Sequence, residues 1–321
     1  MEIINVGDIH IKHEYPFNKA GDKFIDWFCS QDFNNEKNTV IFSGDILDKS
    51  ISSGEVNSTM MSLFNRLKFK EIIVISGNHD LSRKKGSGLI PLNQFRNLFI
   101  IKKPDVILIE DVKVAFLPYY YPYTIKGLTT MEKDFAKLPD NFKNADILHG
   151  HFTDETQSMF GEGIDVSYLN PKLRLLGHIH TKSKNYLGTP IITRSDEAHK
   201  QSYITSYDVV TKTRKDIKVP MFLDYDDIEF DELSLYKEKD YPVIYDIYNI
   251  PSVEAFSDIP KNIIVRNKFV KNYVSEEIMN LDDLDSDRDL VKYMNKYCDD
   301  FNVNNSLRFK LLESVREKET T

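Results

Sequence analysis

Five short strings combine carboxylates, an amide and imidazoles: Asp8-Ile9-His10, Gly44-Asp45, Gly77-Asn78-His79-Asp80, Gly150-His151 and Gly177-His178-Ile179-His180. Five of the eight histidines, His10, His79, His151, His178 and His180, fall inside them. Hard oxygen donors mixed with imidazoles suit Mn²⁺, Fe²⁺ or Zn²⁺ better than Mg²⁺ alone. The D-x-H and H-x-H spacings have a geometric reason, since residues i and i+2 at a strand end point to one side and can reach a common centre. His149 and His151 share that spacing, so both could face the same centre.

Such a centre needs a rigid frame, and each string follows an apolar run that reads as a strand. Glu2 to Val6, Asn38 to Phe42 and Glu71 to Ile75 are buried strands in an α/β layout. Between them, Asn18 to Ser30 forms a helix with Phe24, Trp27 and Phe28 on one face. A second helix, capped by Asn57, turns Met60, Met61, Phe64 and Leu67 inward. Both fit core or dimer-packing helices. Val106 to Ile109, Lys113 to Leu117, Asp146 to His149, Leu173 to Leu176, Pro190 to Thr193 and Tyr203 to Val209 are closely spaced strands with few helices between, the pattern of two sheets packed face to face. In the tail, strands at Pro242 to Ile250 and Asn262 to Val270 flank a helix at Ser252 to Ser257. Amphipathic helices are expected at Ser286 to Phe301 and Ser306 to Lys318.

The chain has 321 residues, is 41% apolar and carries a net charge of -8. Whole-chain disorder, collagen and a disulfide scaffold are excluded. Cys29 and Cys298 form no C-x-x-C pair, so zinc-knuckle and dithiol chemistry are excluded and a reducing compartment fits. With no signal-peptide pattern and no apolar run of about 18 residues, a cytoplasmic protein without a membrane span is expected. The charge is uneven: residues 1–220 carry 29 basic and 27 acidic side chains, residues 221–321 carry 13 and 23. That step predicts a boundary near residue 220. Lys outnumbers Arg 32 to 10, the bias of an AT-rich genome such as a phage's.

The order of the five strings resembles the calcineurin-like metallophosphoesterase superfamily over roughly residues 1–200. The resemblance implies two divalent ions, Mn²⁺ first and Mg²⁺, Fe²⁺ or Zn²⁺ as alternatives. Asp8, His10, Asp45 and His180 would hold one, and Asp45, Asn78, His151 and His178 the other, with Asp45 bridging. The family's glycine before the ligand favours His151 over His149. His79 would stand beside the leaving group as general acid or charge stabiliser, with Asp80 orienting its ring.

Protein phosphatases of this superfamily have an arginine where this chain has Lys49. The match is better to the SbcD-type nuclease subunit of double-strand-break repair complexes and its phage relatives, through Gly44-Asp45-Ile46-Leu47-Asp48, Leu176 to His180 and Tyr186-Leu187-Gly188-Thr189-Pro190. That resemblance implies an α/β four-layer sandwich, two mixed sheets flanked by helices, over residues 1–220. It further implies a small α+β capping domain over 221–274 and, at 275–321, helices that dock on a coiled-coil, SMC-like ATPase. DNA is the implied substrate, in a homodimer. Ile11-Lys12-His13 departs from the subfamily's usual apolar-glycine pair.

Arg83, Lys84 and Lys85, directly after the third string, are candidates to grip a DNA backbone. Lys261, Arg266, Lys268 and Lys271 form a second basic cluster, and Tyr119 to Tyr123 could pack or stack on bases. His13 and His199 have no motif. A cytosolic phosphodiesterase acting on nucleotides or small phosphoesters is the other enzymatic reading. A non-catalytic scaffold is disfavoured, because such scaffolds lose a ligand or the third-string histidine.

Overall fold

Runs rich in isoleucine and valine become strands buried on both faces, as parallel sheets require. The structure, a computed structural model, describes residues 1–82, 86–119, 137–154, 164–235 and 239–270. β1 (Glu2–Val6), β2 (Thr39–Phe42) and β3 (Glu71–Ile75) pair in parallel, with α1 (Phe17–Ser30) and α2 (Gly54–Arg66) as crossovers. A small hairpin of β4 (Leu81–Ser82) and β5 (Gly86–Ser87) leads to β6 (Leu98–Ile101), which pairs in parallel with β3. β7 (Asp105–Ile109), β8 (Val112–Leu117), β9 (Ile147–His151) and β10 (Leu173–Gly177) make a second sheet, ordered β10-β9-β8-β7. β11 (Tyr203–Asp208) and β12 (Thr213–Lys218) return to the first, giving β12-β11-β1-β2-β3-β6. β13 (Asp224–Glu229), β14 (Val243–Ile250) and β15 (Ile264–Val270) form a third.

Alternation along the central strands separates two cores. Ile4, Val6, Val40, Phe42, Ile72 and Val74 face Phe24 and Phe28 of α1 and Met60, Leu63 and Phe64 of α2. Ile3, Ile41, Ile73 and Ile75 face Val112, Val114, Phe116, Ile147 and Leu175 of the second sheet. The two large sheets thus pack face to face. On the far side of the second sheet, Leu148 and Leu176 meet Phe142, Phe152, Leu169 and Tyr186. Among the described residues that outer layer consists of short 3-10 turns and loops rather than α-helices.

Several expected elements differ. Ser53, not Asn57, caps α2, its Oγ accepting from the Val56 N–H at 3.3 Å. Pro190 to Thr193 is no strand; it is a buried irregular segment whose Thr189 and Thr193 hydroxyls bond locally. The tail helix is a 3-10 turn at Glu254–Asp258. The chain divides into two compact units. One comprises Met1–Asp227, Leu235–Asp246 and Lys261–Arg266; the other comprises Ile228–Ser234, Ile247–Pro260 and the chain from Asn267 onward. The expected helices within 275–321 lie outside the described residues. No helix among the described residues is long and apolar enough to cross a membrane.

Candidate metal centre

All five strings lie at the C-terminal ends of parallel strands, where loops of an α/β sheet gather ligands. Hydrogen bonds carry the pairing of β1 and β2 into those loops: His10 N–H donates to Asp45 O at 3.0 Å and Ile11 N–H to Ile46 O at 2.9 Å. His10, Asp45 and His178 then adopt φ of 50°, 47° and 81°, a left-handed conformation uncommon outside glycine. Three such residues in one site mark a backbone bent to aim side chains, held by the sheets around it. Gly44, at φ 95°, passes so close to the His151 ring that a β-carbon would overlap it, and one on Gly77 would overlap the Asp45 carboxylate.

The side chains converge. His10 Nε2 and His180 Nε2 are 3.0 Å apart. Asp45 Oδ2 lies 3.6 Å from His10 Nε2 and 3.3 Å from His151 Nε2, while Oδ1 accepts the His79 backbone N–H at 2.8 Å. Asn78 Oδ1 is 3.0 Å from His151 Nε2 and 3.1 Å from His178 Nδ1. Asp8 receives the His178 backbone N–H at 2.9 and 3.1 Å and stands 3.4 Å from His151 Nδ1. Asp8, Asp45 and His151 are buried; Asn78, His79, His178 and His180 form a half-buried rim.

Charge in this site is unevenly held. Burial pushes the Asp8 carboxyl up to about 6, with the Asp45 charge adding to it against the pull of His151. Burial likewise opposes ionisation of Asp45, yet the His151 charge and hydrogen bond outweigh it and hold Asp45 below the usual carboxylate range. For His151 burial disfavours the cation, but Asp45 and Asp8 prevail and raise the imidazole to about 10. Burial, aided by the His151 charge, lowers His178 to about 4, and burial takes His10 well below its ordinary value. Two buried carboxylates thus draw positive charge into the site, while burial keeps His10 and His178 neutral with lone pairs available, the state metal ligands require.

A model of the calcineurin-like phosphoesterase family matches residues 1–182, a span that contains all five strings. The chain belongs to the calcineurin-like phosphoesterase family. Among solved structures, it is similar to one described as a novel archaeal phosphodiesterase, with 18% identity and a TM-score of 0.34 over 68% of this chain and 99% of the other. Comparison with curated proteins finds no match.

Calcineurin-like phosphoesterases are generally dimetal-dependent, and the donor set here fits that demand. Among the described residues, two groups of donor atoms each gather within 4.8 Å: Asp8, Asp45 and His151, and separately His10, Asp48 and His79. The 3.0 Å between His10 and His180 Nε2 is also the spacing of adjacent nitrogen ligands about 2.0–2.1 Å from one cation.

Two of the candidate ligand histidines are oriented from behind. His151 Nδ1–H donates to Ser43 O at 2.8 Å, leaving Nε2 to face Asn78 and Asp45. His180 Nδ1–H donates to buried Glu197, whose other oxygen accepts the backbone N–H groups of Thr193 at 2.6 Å and Arg194 at 3.1 Å. This carboxylate–histidine pairing fixes the tautomer and ring plane. Sequence reasoning missed Glu197, Ser43 and Asp48.

His149 does not face the centre. It donates from Nε2 to Asn5 Oδ1 at 2.8 Å and accepts at Nδ1 from Ser43 Oγ at 3.0 Å, and burial lowers it to about 3. Asp80 also departs from expectation. Its two oxygens accept the Leu47 N–H at 3.0 Å and the Gly77 N–H at 2.9 Å, and burial with the Asp45 charge raises it to about 7. The atom on His79 Nδ1 is instead the Asp48 carbonyl oxygen, at 2.6 Å. Asp80 therefore ties two ligand loops together, and the backbone of Asp48 orients the His79 ring.

Arg83, Lys84 and Lys85 lie outside the described residues, as do Lys271 and 120–123 of the tyrosine run. Arg266 Nε donates to Asp246 Oδ1 at 2.9 Å, so its charge is matched. His13 stands 3.5 Å from Glu14 and His199 3.2 Å from Asp224, each paired with a carboxylate away from the centre.

Proposed function

We propose that this chain is a metal-dependent DNA phosphodiesterase, the nuclease subunit that works as a dimer with a coiled-coil, SMC-like ATPase docked on residues 275–321. The observation that carries the reading is Asp45: one carboxylate oxygen faces Nε2 of His10 and Nε2 of His151, the donors of two adjacent sites. Asp8, His10, Asp45 and His180 would hold one divalent cation and Asp45, Asn78, His151 and His178 the other, with Mn²⁺ best matched to the mixed donors. Such a pair, when bound, supplies an acidified water and neutralises phosphate oxygens.

The chain's own residues do the rest. His79 is half-buried, and its Nδ1–H is fixed on Asp48 O, which leaves Nε2 to exchange a proton with the leaving oxygen. Glu197 and Ser43 hold the His180 and His151 rings with Nε2 inward. Buried Asp8 and Asp45 lie away from water, where their attraction for cations is strengthened. The Tyr186 to Pro190 string, which favours the nuclease over other family members, lies against this machinery: Thr189 Oγ1 donates to Asp8 O at 2.8 Å, and Gly188 abuts Gly7.

The test is Mn²⁺-dependent hydrolysis of linear DNA and of a chromogenic phosphodiester, with and without a co-purified ATPase. Cleavage of DNA, and capture of the ATPase that ends on removal of residues 286–321, are expected. Hydrolysis of the chromogenic ester alone would favour a small-molecule phosphodiesterase.

A further inference from the structure

We infer that a cavity beside the centre binds one nucleotide of the substrate, the one flanking the scissile phosphodiester; this rests on the phosphodiesterase reading above and specifies its substrate as a nucleotide ester. The cavity has a volume of about 280 Å³ and is bounded by the segment after His180, the turn at Ser195–Glu197 and the residues entering β11. His180 and Glu197 are part of its wall, so an occupant lies against a candidate ligand of the centre. Its volume sits at the lower edge of the roughly 300–1,000 Å³ of ligand sites, a scale for one nucleotide rather than a strand or a peptide.

Lys200 supplies charge for a phosphate. Its Nζ donates to Thr181 Oγ1 at 3.2 Å and to the Asp196 carbonyl at 2.6 Å, both neutral, and among the described residues no carboxylate pairs with it. A cation with neutral partners can turn to a phosphate oxygen without breaking an ion pair. Lys182 in the same wall differs, since Asp216 Oδ1 at 2.9 Å already matches its charge. Glu197 does not repel an anion as a free carboxylate would, because His180 and two backbone N–H groups engage it.

The opposite requirement, a place for a base, is met by Tyr203 and Gln201. The half-buried Tyr203 lines the cavity with Lys182 Nζ 5.8 Å from its ring centroid, and such a ring is a surface on which any base can stack. Gln201 donates its Nε2 to Ser202 O at 3.0 Å and Val219 O at 2.7 Å, which fixes the amide and leaves Oε1 to accept from a base N–H.

Calorimetric titration of thymidine 5′-monophosphate and of inorganic phosphate into the full chain, with EDTA and with Mn²⁺, tests the site. The mononucleotide should bind the EDTA-treated wild type more tightly than phosphate does, and Lys200→Ala should weaken it at least about tenfold. Tyr203→Leu should weaken the mononucleotide but not phosphate. Because Tyr203 belongs to β11, its thermal melt is compared with wild type, and the exposed Lys200 keeps the test decisive if that variant unfolds. In turnover, Lys200→Ala should lose about tenfold more kcat/KM on a dinucleotide than on a chromogenic diester without a base. Equal mononucleotide affinity in wild type and Lys200→Ala, equal affinity for phosphate and mononucleotide, or equal losses on both esters would each overturn the site. Hydrolysis of neither ester by the wild type would remove the phosphodiesterase reading, while the EDTA titration would still decide the cavity.

Discussion

The buried wall of the centre and its half-buried rim are built differently. Asp8, Asp45 and His151 lie under the sheets, tied to backbone N–H and carbonyl groups, and they carry the charge. Asn78, His79, His178 and His180 stand at the edge, half-buried and reachable by a substrate. The wall therefore holds the site's buried charge, and the rim is the part exposed to solvent. Substitutions in the wall should abolish cation binding and activity together, whereas substitution of His79, the rim residue outside the proposed ligand set, should separate them.

The largest effect is expected at Asp45. Asp45→Asn removes the charge that faces both halves, and activity should fall by at least about 10³-fold with loss of Mn²⁺ binding. At the rim, His79→Gln should lower turnover by roughly 10²–10⁴-fold with nearly unchanged Mn²⁺ binding, seen by calorimetry beside steady-state kinetics. Equal loss of both would move His79 from proton transfer into the cation-holding wall. A smaller change is expected one layer out: Glu197→Gln should weaken Mn²⁺ binding by about 10–100-fold, because His180 loses a charged partner.

The strings were legible because each is local: a strand end, a glycine and a ligand spaced to point one way. β1 and β3 were legible for the same reason, as short runs rich in isoleucine and valine. β12 was not, since Thr213–Lys218 is polar and mostly exposed, and only its antiparallel register with β11 makes it a strand. Glu197 was hidden differently. Nothing in Ser195-Asp196-Glu197 signals a ligand's partner; tertiary folding alone brings it to His180. Ser43 and Asp48 act through carbonyl oxygens, which every residue has, so side-chain chemistry could not reveal them. Asp80 looked like a partner for His79 because it is adjacent, yet its carboxylate reaches backbone N–H groups on either side instead.

The same contrast separates the two histidines of β9. His151 is raised by carboxylates, while His149, sealed between Asn5 and Ser43, stays neutral. Its folded value of about 3 lies below the ordinary 6.5. The unfolded chain therefore takes up a proton between those pH values that the folded chain refuses. Stability from this residue is full above pH 6.5 and falls as pH drops toward 3, by up to about 1.4 kcal/mol per pH unit. Chemical denaturation between pH 7 and 5 should show a shallower acid decline in His149→Gln. An unchanged slope would mean that His149 is not held neutral. His149→Phe should cost about 1–3 kcal/mol at pH 7, because Ser43 Oγ and Asn5 Oδ1 lose their partner.

The central claim, that Asp45 joins two cation sites, is tested most directly by titrating Mn²⁺ into wild type and Asp45→Asn and recording electron paramagnetic resonance. Two Mn²⁺ per chain with a spin-coupled signal are expected in the wild type, and that coupling should vanish in Asp45→Asn. A single uncoupled Mn²⁺ in the wild type, or coupling that survives the substitution, would contradict it.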